Sequence, residues 1–306
     1  MKIAVTGATG FVGSKLVARL ADESHDVKVL TRSVEKARKV FAAPQLKDLE
    51  YVAYKPTESG DWQAAISGCD GVINLAGEPI SERWSAERKR RIIDSRQVGT
   101  QKLVEAIKNA EQKPSVLVSG SAIGFYGTSE SAEFFETSEP AENDFLSKVC
   151  QGWEAAARKA KDYGVRVAII RTGIVLGNGG AIAKMLPPFK LYAGGPIGSG
   201  QQWFSWIHID DLVNLFMKAL LDPSMQGVYN GTAPNPLRMK DFCQTLGEVL
   251  DRPSWLPVPD FAIEALLGDG AVVVLKGQQV LPERTQASGF SFNYDDAKEA
   301  IKDIVN

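Results

Sequence analysis

Along the first 172 residues, short apolar runs alternate with stretches in which apolar residues recur every three or four positions. The runs predict buried strands at Lys2–Thr6, Val27–Thr31, Glu50–Tyr54, Gly71–Leu75, Ser115–Ser119 and Val165–Thr172. The helical spacing begins at Ser14–Leu20, where Leu16, Val17 and Leu20 share a face, and recurs in a short helix at Asp61–Ser67. It is longest from Ser85 to Ala110, with Ile92, Ile93, Thr100, Leu103, Val104 and Ile107 in step, and it returns at roughly Asp144–Tyr163. The charged run Glu87–Arg91 fits the wet face of the long helix. Strand and helix alternating six times over predicts an α/β fold on a Rossmann-type, doubly wound parallel sheet.

After Gly177 the pattern changes. Glycines and prolines cluster between Gly177 and Gly200, and the helices that follow, near Asp210–Leu221 and Met239–Leu250, no longer alternate regularly with strands. The tail, Val272–Asn306, predicts one more strand and an amphipathic helix at Asp295–Val305. The expected division is a cofactor-binding domain over 1–177, with strand and helix contributions from about 204–232. A smaller, partly interleaved C-terminal substrate region covers 178–306. No internal repeat and no low-complexity segment is visible.

The first strand runs into Gly7, Gly10 and Gly13, a G-x-x-G-x-x-G turn that opens a helix. Strand, glycine turn and helix in that order form a pyrophosphate site. Glycines without Cβ let the anion approach, and the helix N-terminus offers free N–H groups and a positive dipole end. Gly7, Thr9, Gly10, Phe11, Val12 and Gly13 are therefore candidate dinucleotide contacts. Arg32 ends the second strand, 19 residues after Gly13, where such a fold meets the adenosine ribose. A carboxylate there would select a free 2′-hydroxyl, whereas a guanidinium grips a 2′-phosphate. A charge-assisted bond of that kind contributes about 1.5–3 kcal/mol, one to two decades of preference for NADP(H) over NAD(H). Thr31 and Ser33 flank it, and Lys36 is near enough to assist. Leu75, Ala76 and Gly77 leave room for the second half of the cofactor, with Ser119 at the end of the fifth strand. Arg96 points either at phosphates or into a salt bridge.

Bulk properties narrow the function classes. The 306 residues are 44% hydrophobic and 24% charged, with a net charge of −2, which gives no electrostatic case for nucleic acid or an anionic membrane. No apolar run approaches the ~20 residues of a membrane span. Cys69, Cys150 and Cys243 are odd in number and far apart, as in a reducing compartment. With His25 and His208 the only histidines, no histidine-based metal site is expected. The strand starting at residue 2 leaves no room for a leader ahead of it and suggests a cytoplasmic protein, or a plastid-stroma protein if the sequence is a trimmed plant or algal form.

Four stretches carry a family likeness: GATGFVG at the start, NLAGEPI at 74–80, GGPIGSGQQWFSWIHIDDL at 194–212 and LKGQQVLPERTQASGFSF at 275–292. The chain resembles the atypical extended short-chain dehydrogenases/reductases, and within them an epimerase-like subfamily with a small C-terminal domain. That subfamily has bacterial, animal and plant-plastid members, mostly of unassigned activity. The resemblance implies an NADP-binding Rossmann domain with a substrate cleft above it. It also brings a link of plant members to plastid division, and a cell-division-inhibitor label on some bacterial ones that no residue here supports.

Reductases of this kind use a serine and a Tyr-x-x-x-Lys pair, the tyrosine handing a proton to the substrate oxygen as hydride moves. By that resemblance Ser121 takes the serine's place and Lys148 the lysine's, where it would also hold the ribose. The residue four before Lys148 is Asp144, so the tyrosine is absent. Three possibilities stay open: Tyr126 donates the proton; Asp144 does so, directly or through water; or no strong acid exists, and the protein is a slow reductase or a cofactor-gated binding module. Related sugar-nucleotide epimerases hold a diphosphate with an arginine near Gln201–His208, a stretch that here contains no cation. An unpartnered diphosphate beside Trp and Phe would cost several kcal/mol, roughly 2–7 for even a neutral polar group, so a smaller carbonyl, enone or quinone-like substrate is expected. Trp84, Trp203 and Trp206 are candidate walls or core. Glu78 and Arg83 are candidates to enter from the nicotinamide side. His208 reads as a hydrogen-bonder ahead of a helix, and Arg284 reaches either the substrate or the main domain. A homodimer through the long helices beside strand five, or a protein partner under the binding-module reading, completes the expected partners.

Overall fold

The computed structural model describes residues 1–305. Its first half lays down β1 (Lys2–Thr6), α1 (Phe11–Asp22), β2 (Asp26–Thr31), α2 (Val34–Val40), β3 (Glu50–Ala53), β4 (Gly71–Asn74), α3 (Ala86–Asn109), β5 (Val116–Ala122), β6 (Glu133–Phe134), α4 (Phe145–Arg158) and β7 (Arg166–Thr172). The second half adds β8 (Ile174–Leu176), α5 (Gly180–Lys190), β9 (Trp203–Phe204), β10 (Trp206–His208), α6 (Ile209–Leu221), β11 (Gly227–Gly231), β12 (Leu237–Arg238) and α7 (Met239–Leu250). Last come α8 (Asp260–Leu267), α9 (Val272–Leu275), β13 (Gln279–Val280), α10 (Glu283–Ala287) and α11 (Ala297–Val305).

Seven parallel strands form the central sheet in the order β11-β7-β5-β4-β1-β2-β3. The chain winds outward in both directions from the β1–β4 pair, which leaves a crevice at their carboxyl ends. One face is closed by α1 and α6 over Leu16, Leu20, Leu212 and Phe216, all fully buried. The other is closed by α3 and α4 over Leu103, Ile107 and Ala157. A third core lies in the smaller module, where α5, α7 and α11 enclose Phe189, Phe204, Trp206 and Phe242. The tail returns to the main body through β13, which pairs in parallel with β6.

Several departures from the sequence reading matter. Helix α1 begins at Phe11, three residues earlier than expected, with Gly10 as its N-cap. Strand β5 runs on to Ala122 and pairs Ser121 with Arg171, so Ser121 is a strand residue and not the first of a loop. Helix α4 ends at Arg158 and tightens into a 3₁₀ turn through Tyr163. Helix α5 forms in spite of Pro187 and Pro188, because Ile182, Met185 and Phe189 bury one of its faces. The tail strand is two residues long, and the final Asn306 lies outside the described residues.

Candidate cofactor and substrate site

The turn after β1 is shaped by its glycines. Gly7 has φ +67°, and a Cβ there would lie 2.5 Å from the Leu75 backbone. A Cβ on Gly13 would lie 2.2 Å from the Gly7 carbonyl oxygen, so only glycine lets α1 pack this closely on the turn. No side chain caps α1. Its first-turn N–H groups are left for an anion, the arrangement a pyrophosphate needs. Thr9 and Gly10 are exposed, whereas the Phe11 ring seats on Gly179, whose added Cβ would approach it to 2.8 Å. Beneath the turn, Thr6 Oγ–H donates to Asn74 Oδ1 at 2.7 Å, and the Asn74 amide donates to Thr100 Oγ and to Ser119 Oγ. This buried chain of bonds fixes the carboxyl ends of β1, β4 and β5 relative to one another. It also fully buries Ser119, which corrects the expectation that its hydroxyl meets the cofactor. Thr31 is buried as well, its hydroxyl donating to the Ser33 carbonyl, and Ser33 caps α2 by accepting from Lys36 N.

At the adenosine end, the exposed Arg32 donates to Glu78 Oε1 at 2.9 Å. The other Glu78 oxygen lies 3.5 Å from the buried Arg88, which also meets Glu82. Glu78 therefore faces the ribose side of the crevice and not the nicotinamide side, contrary to the substrate role expected of it. Arg83 turns away too, donating to the Ala265 carbonyl. Arg96 has no carboxylate partner among the described residues. It donates to the Glu78 carbonyl at 3.0 Å, stacks over Trp153 and crowds Gly77, so the expected salt bridge does not form.

A cavity of about 190 Å³ opens beyond the carboxyl ends of β5 and β7. Its lining is largely apolar, with Ile80, Ile123, Val149, Ile174, Val272 and Val273 among its walls. The residues that look into it from β5 and α4 are Ala122, Leu146, Val149 and Cys150. The reason is geometric. Side chains alternate along a strand, so the extension of β5 to Ala122 turns Ser121 to the opposite face. There the Ser121 hydroxyl donates to Glu154 Oε1 at 2.8 Å, deep under α4. Lys148 projects from the exposed side of α4 and does not line the cavity, because the helical period brings Leu146 and Cys150 inward instead. Neither Ser121 nor Lys148 occupies the position expected of it.

Glu154, fully buried, accepts from Arg171 Nε and Nη2 at 2.8 and 3.0 Å and from Arg158 at 2.8 Å. Arg171 Nη1 donates to the Tyr126 hydroxyl at 3.0 Å, and that hydroxyl donates to Asn230 Oδ1 at 2.7 Å. Burial pushes the Tyr126 phenol up to about 12, and both of its hydrogen-bonding directions are engaged away from the cavity. This corrects Tyr126 as a proton donor: it belongs to a buried frame behind the site. Tyr126→Phe and Ser121→Ala are expected to lower stability by about 1–3 kcal/mol in chemical unfolding. Neither should lower turnover ~100-fold, as removal of a true acid would. A loss of that size in steady-state kinetics would restore the catalytic role. Asp144 lines the cavity mouth, but its Oδ1 accepts from Ser147 N at 2.7 Å as the cap of α4. Burial, with Glu154 nearby, raises Cys150 to about 11, so its thiol stays protonated at neutral pH.

Of the candidate walls, only Trp203 lines the cavity. Trp206 is fully buried in the third core with its indole N–H on the Asn235 carbonyl. Trp84 packs edge-on against Phe145 with its N–H on the Ile80 carbonyl, under the loop that precedes α3. Arg284 donates to the Gln226 carbonyl and covers the Tyr229 ring, which ties the tail to β11 rather than to any substrate. Arg238 supplies a cation beside Trp203 that the 201–208 stretch lacks, 3.8 Å over the ring, but it is held by the carbonyls of Gln201 and Glu130. A larger cavity, about 360 Å³, shares no lining residue with the first. It touches His208 and Asp303, which with Asp210 bring potential ligand atoms within 4.8 Å of one another. His208 Nδ1 accepts from Asp210 N, so the proton sits on Nε2, facing Asp303 at 3.3 Å. A cation at Nε2 would need the other tautomer. The cluster is a helix cap.

Comparison with known proteins adds context to this geometry. Residues 3–230 match the model of the "NAD dependent epimerase/dehydratase family", and residues 258–304 match a "Domain of unknown function (DUF1731)". The chain is 55% identical to "Epimerase family protein SDR39U1 homolog, chloroplastic" of Arabidopsis thaliana, over 100% of this chain and 87% of that protein. It is 37% identical to "Epimerase family protein YfhF" of Bacillus subtilis, over 100% and 98%. Among solved structures, human epimerase family protein SDR39U1, crystallised with NADPH, superposes with a TM-score of 0.87 at 36% identity, over 99% of each chain.

Proposed function

The chain belongs to the NAD dependent epimerase/dehydratase family, and from that premise we propose that it is an NADP(H)-dependent oxidoreductase acting on a small carbonyl, enone or quinone-like compound. The glycine cradle, the uncapped α1 terminus and Arg32 fit a dinucleotide with a 2′-phosphate. The NADPH bound to the human relative supports the same choice. When bound, that cofactor supplies a hydride at its nicotinamide. The cavity at the sheet's carboxyl edge then takes the acceptor, and at about 190 Å³ it falls below the ~300–1,000 Å³ of drug-sized pockets. That volume is small for a nucleotide sugar.

The observation that carries this reading is the floor of Ala122, Leu146 and Cys150. The one protic side chain there, the Cys150 thiol, already donates to the Ala122 carbonyl at 3.6 Å, so none is set to hand a proton to an alkoxide. Such a floor suits an acceptor whose product oxyanion is stabilised by conjugation, as with a quinone or an enone, and which takes its proton from water. Stopped-flow oxidation of NADPH by quinones, enones and simple ketones is the test. Quinones or enones are expected to react and simple ketones not to. If no compound speeds the oxidation, the oxidoreductase reading fails.

A second reading, a catalytically weak NADP(H)-binding regulatory protein, is favoured by a different observation. Trp255, Phe261 and Leu266 stand exposed on and beside α8, a patch of the kind that proteins cover with partners. On either reading we assign 1–177, with help from about 204–232, to the cofactor and 178–306 to the substrate region. Among the described residues, no helix is long and apolar enough to cross a membrane. We place the protein in a cytoplasm or plastid stroma. Among the described residues, none of the large exposed hydrophobic side chains lies on α3 or α4, the helices through which a homodimer would form.

A further inference from the structure

We propose that Lys276 selects, within the oxidoreductase reading above, planar apolar acceptors that carry one carboxylate. Three charged side chains line the substrate cavity: Arg96, Asp144 and Lys276. Two of them are engaged. Arg96 donates to the carbonyls of Glu78 and Ile92, and Asp144 caps α4 through Ser147 N. The Lys276 ammonium has neither a hydrogen bond nor an ion pair with any described residue, and it stands exposed at the cavity rim.

Its backbone is fixed from several sides. Lys276 N donates to the Val272 carbonyl at 3.1 Å, and Ser129 N donates to the Gly277 carbonyl at 2.9 Å. Gln278 Nε2 donates to the Ile123 carbonyl at 2.9 Å, and Ser205 Oγ donates to the Gln278 carbonyl at 2.8 Å. Gly277 lies so close to Trp203 that a Cβ would come within 2.0 Å of its carbonyl oxygen. The 276–278 strap therefore binds the tail across the end of β5 and the start of β9, and holds a free cation over an apolar chamber. Trp203, whose indole N–H is held by the Glu130 carbonyl, gives that chamber a flat wall for a ring. A carboxylate at the rim would form a charge-assisted bond with Lys276, while the ring it carries fills the apolar interior.

The test uses the full chain loaded with NADP⁺, so that binding is read without turnover. Two probes are compared by titration calorimetry: 1,4-naphthoquinone-2-carboxylate and the neutral 2-methyl-1,4-naphthoquinone. The carboxylate is expected to bind about tenfold more tightly. Lys276→Met should remove that advantage and leave the neutral probe unchanged, and Lys276→Arg should keep most of it. Because Lys276 is exposed, both variants are expected to melt with the wild type, and the neutral probe reports on the cavity itself. Equal affinities in the wild type, an advantage that survives Lys276→Met, or no binding of either probe would overturn the proposal. Repeating the pair with NADPH separates the two readings. Oxidation by both probes without a carboxylate advantage removes the Lys276 assignment alone. A Lys276-dependent advantage without any oxidation leaves the anion site standing and removes the oxidoreductase.

Discussion

Replacing Arg32 by Asp is expected to invert the cofactor preference, from NADPH ahead of NADH to NADH ahead of NADPH. Arg32 is exposed and its partner is Glu78, 2.9 Å away. A 2′-phosphate, with about −1.5 to −2 charge, would take the place of that carboxylate on the guanidinium. Losing it removes about 1.5–3 kcal/mol, one to two decades in affinity. The substituted Asp adds repulsion to the phosphate and accepts from a free 2′-hydroxyl. Fluorescence titration of each reduced cofactor measures both affinities. If the wild type binds the two equally, or if Arg32→Asp leaves their order unchanged, phosphate recognition lies elsewhere.

The largest stability effect is expected at Glu154. Its carboxylate, without solvent exposure, holds Arg171 through two bonds and Arg158 through a third. Burial opposes the charge on Arg171, but the bonds to Glu154 outweigh it and raise its pKa above the ordinary guanidinium value. Glu154→Gln keeps the shape and strands the Arg171 charge in the core. Breaking a buried pair from one side costs about 3–5 kcal/mol, a fall in Tm on the order of 10 °C. The double variant Glu154→Met with Arg171→Met should regain part of that loss, since an apolar pair carries no uncompensated charge. Urea unfolding of the single and double variants distinguishes this frame from an ordinary surface ion pair, for which the single loss would stay within about 1 kcal/mol.

Much of the cofactor half was legible in local sequence. The strand, glycine turn and helix at 1–20, the arginine at the end of β2, and the small residues after β4 all depend on neighbours within a few positions. The third dimension refined them only at helix and strand ends. The substrate half was far less legible. Glu154 and Arg171 sit on a helix and a strand 17 residues apart, and nothing local marks them as partners. The one available signal was a charged residue following the apolar run of a strand, at Arg171, which demands a counter-charge if it is buried. Lys276 lies in the 275–292 stretch that carried the family likeness, but nothing local gave it a role, because its meaning comes from a strap that crosses two distant strands.

From sequence alone followed the parallel α/β architecture and a glycine turn suited to an anion, and the resemblance to short-chain reductases added that Asp144 stands where their proton-donating tyrosine would. These rest on periodicity, on glycine's missing Cβ and on residue identity, all of which a linear chain displays. Which side chains enter the cleft was decided only by tertiary packing. Three more residues of pairing in β5 put Ser121 beneath α4 and Ala122 in the cavity, since each step along a strand reverses the face. The same packing carried Trp206 into the core and left Trp203 at the wall.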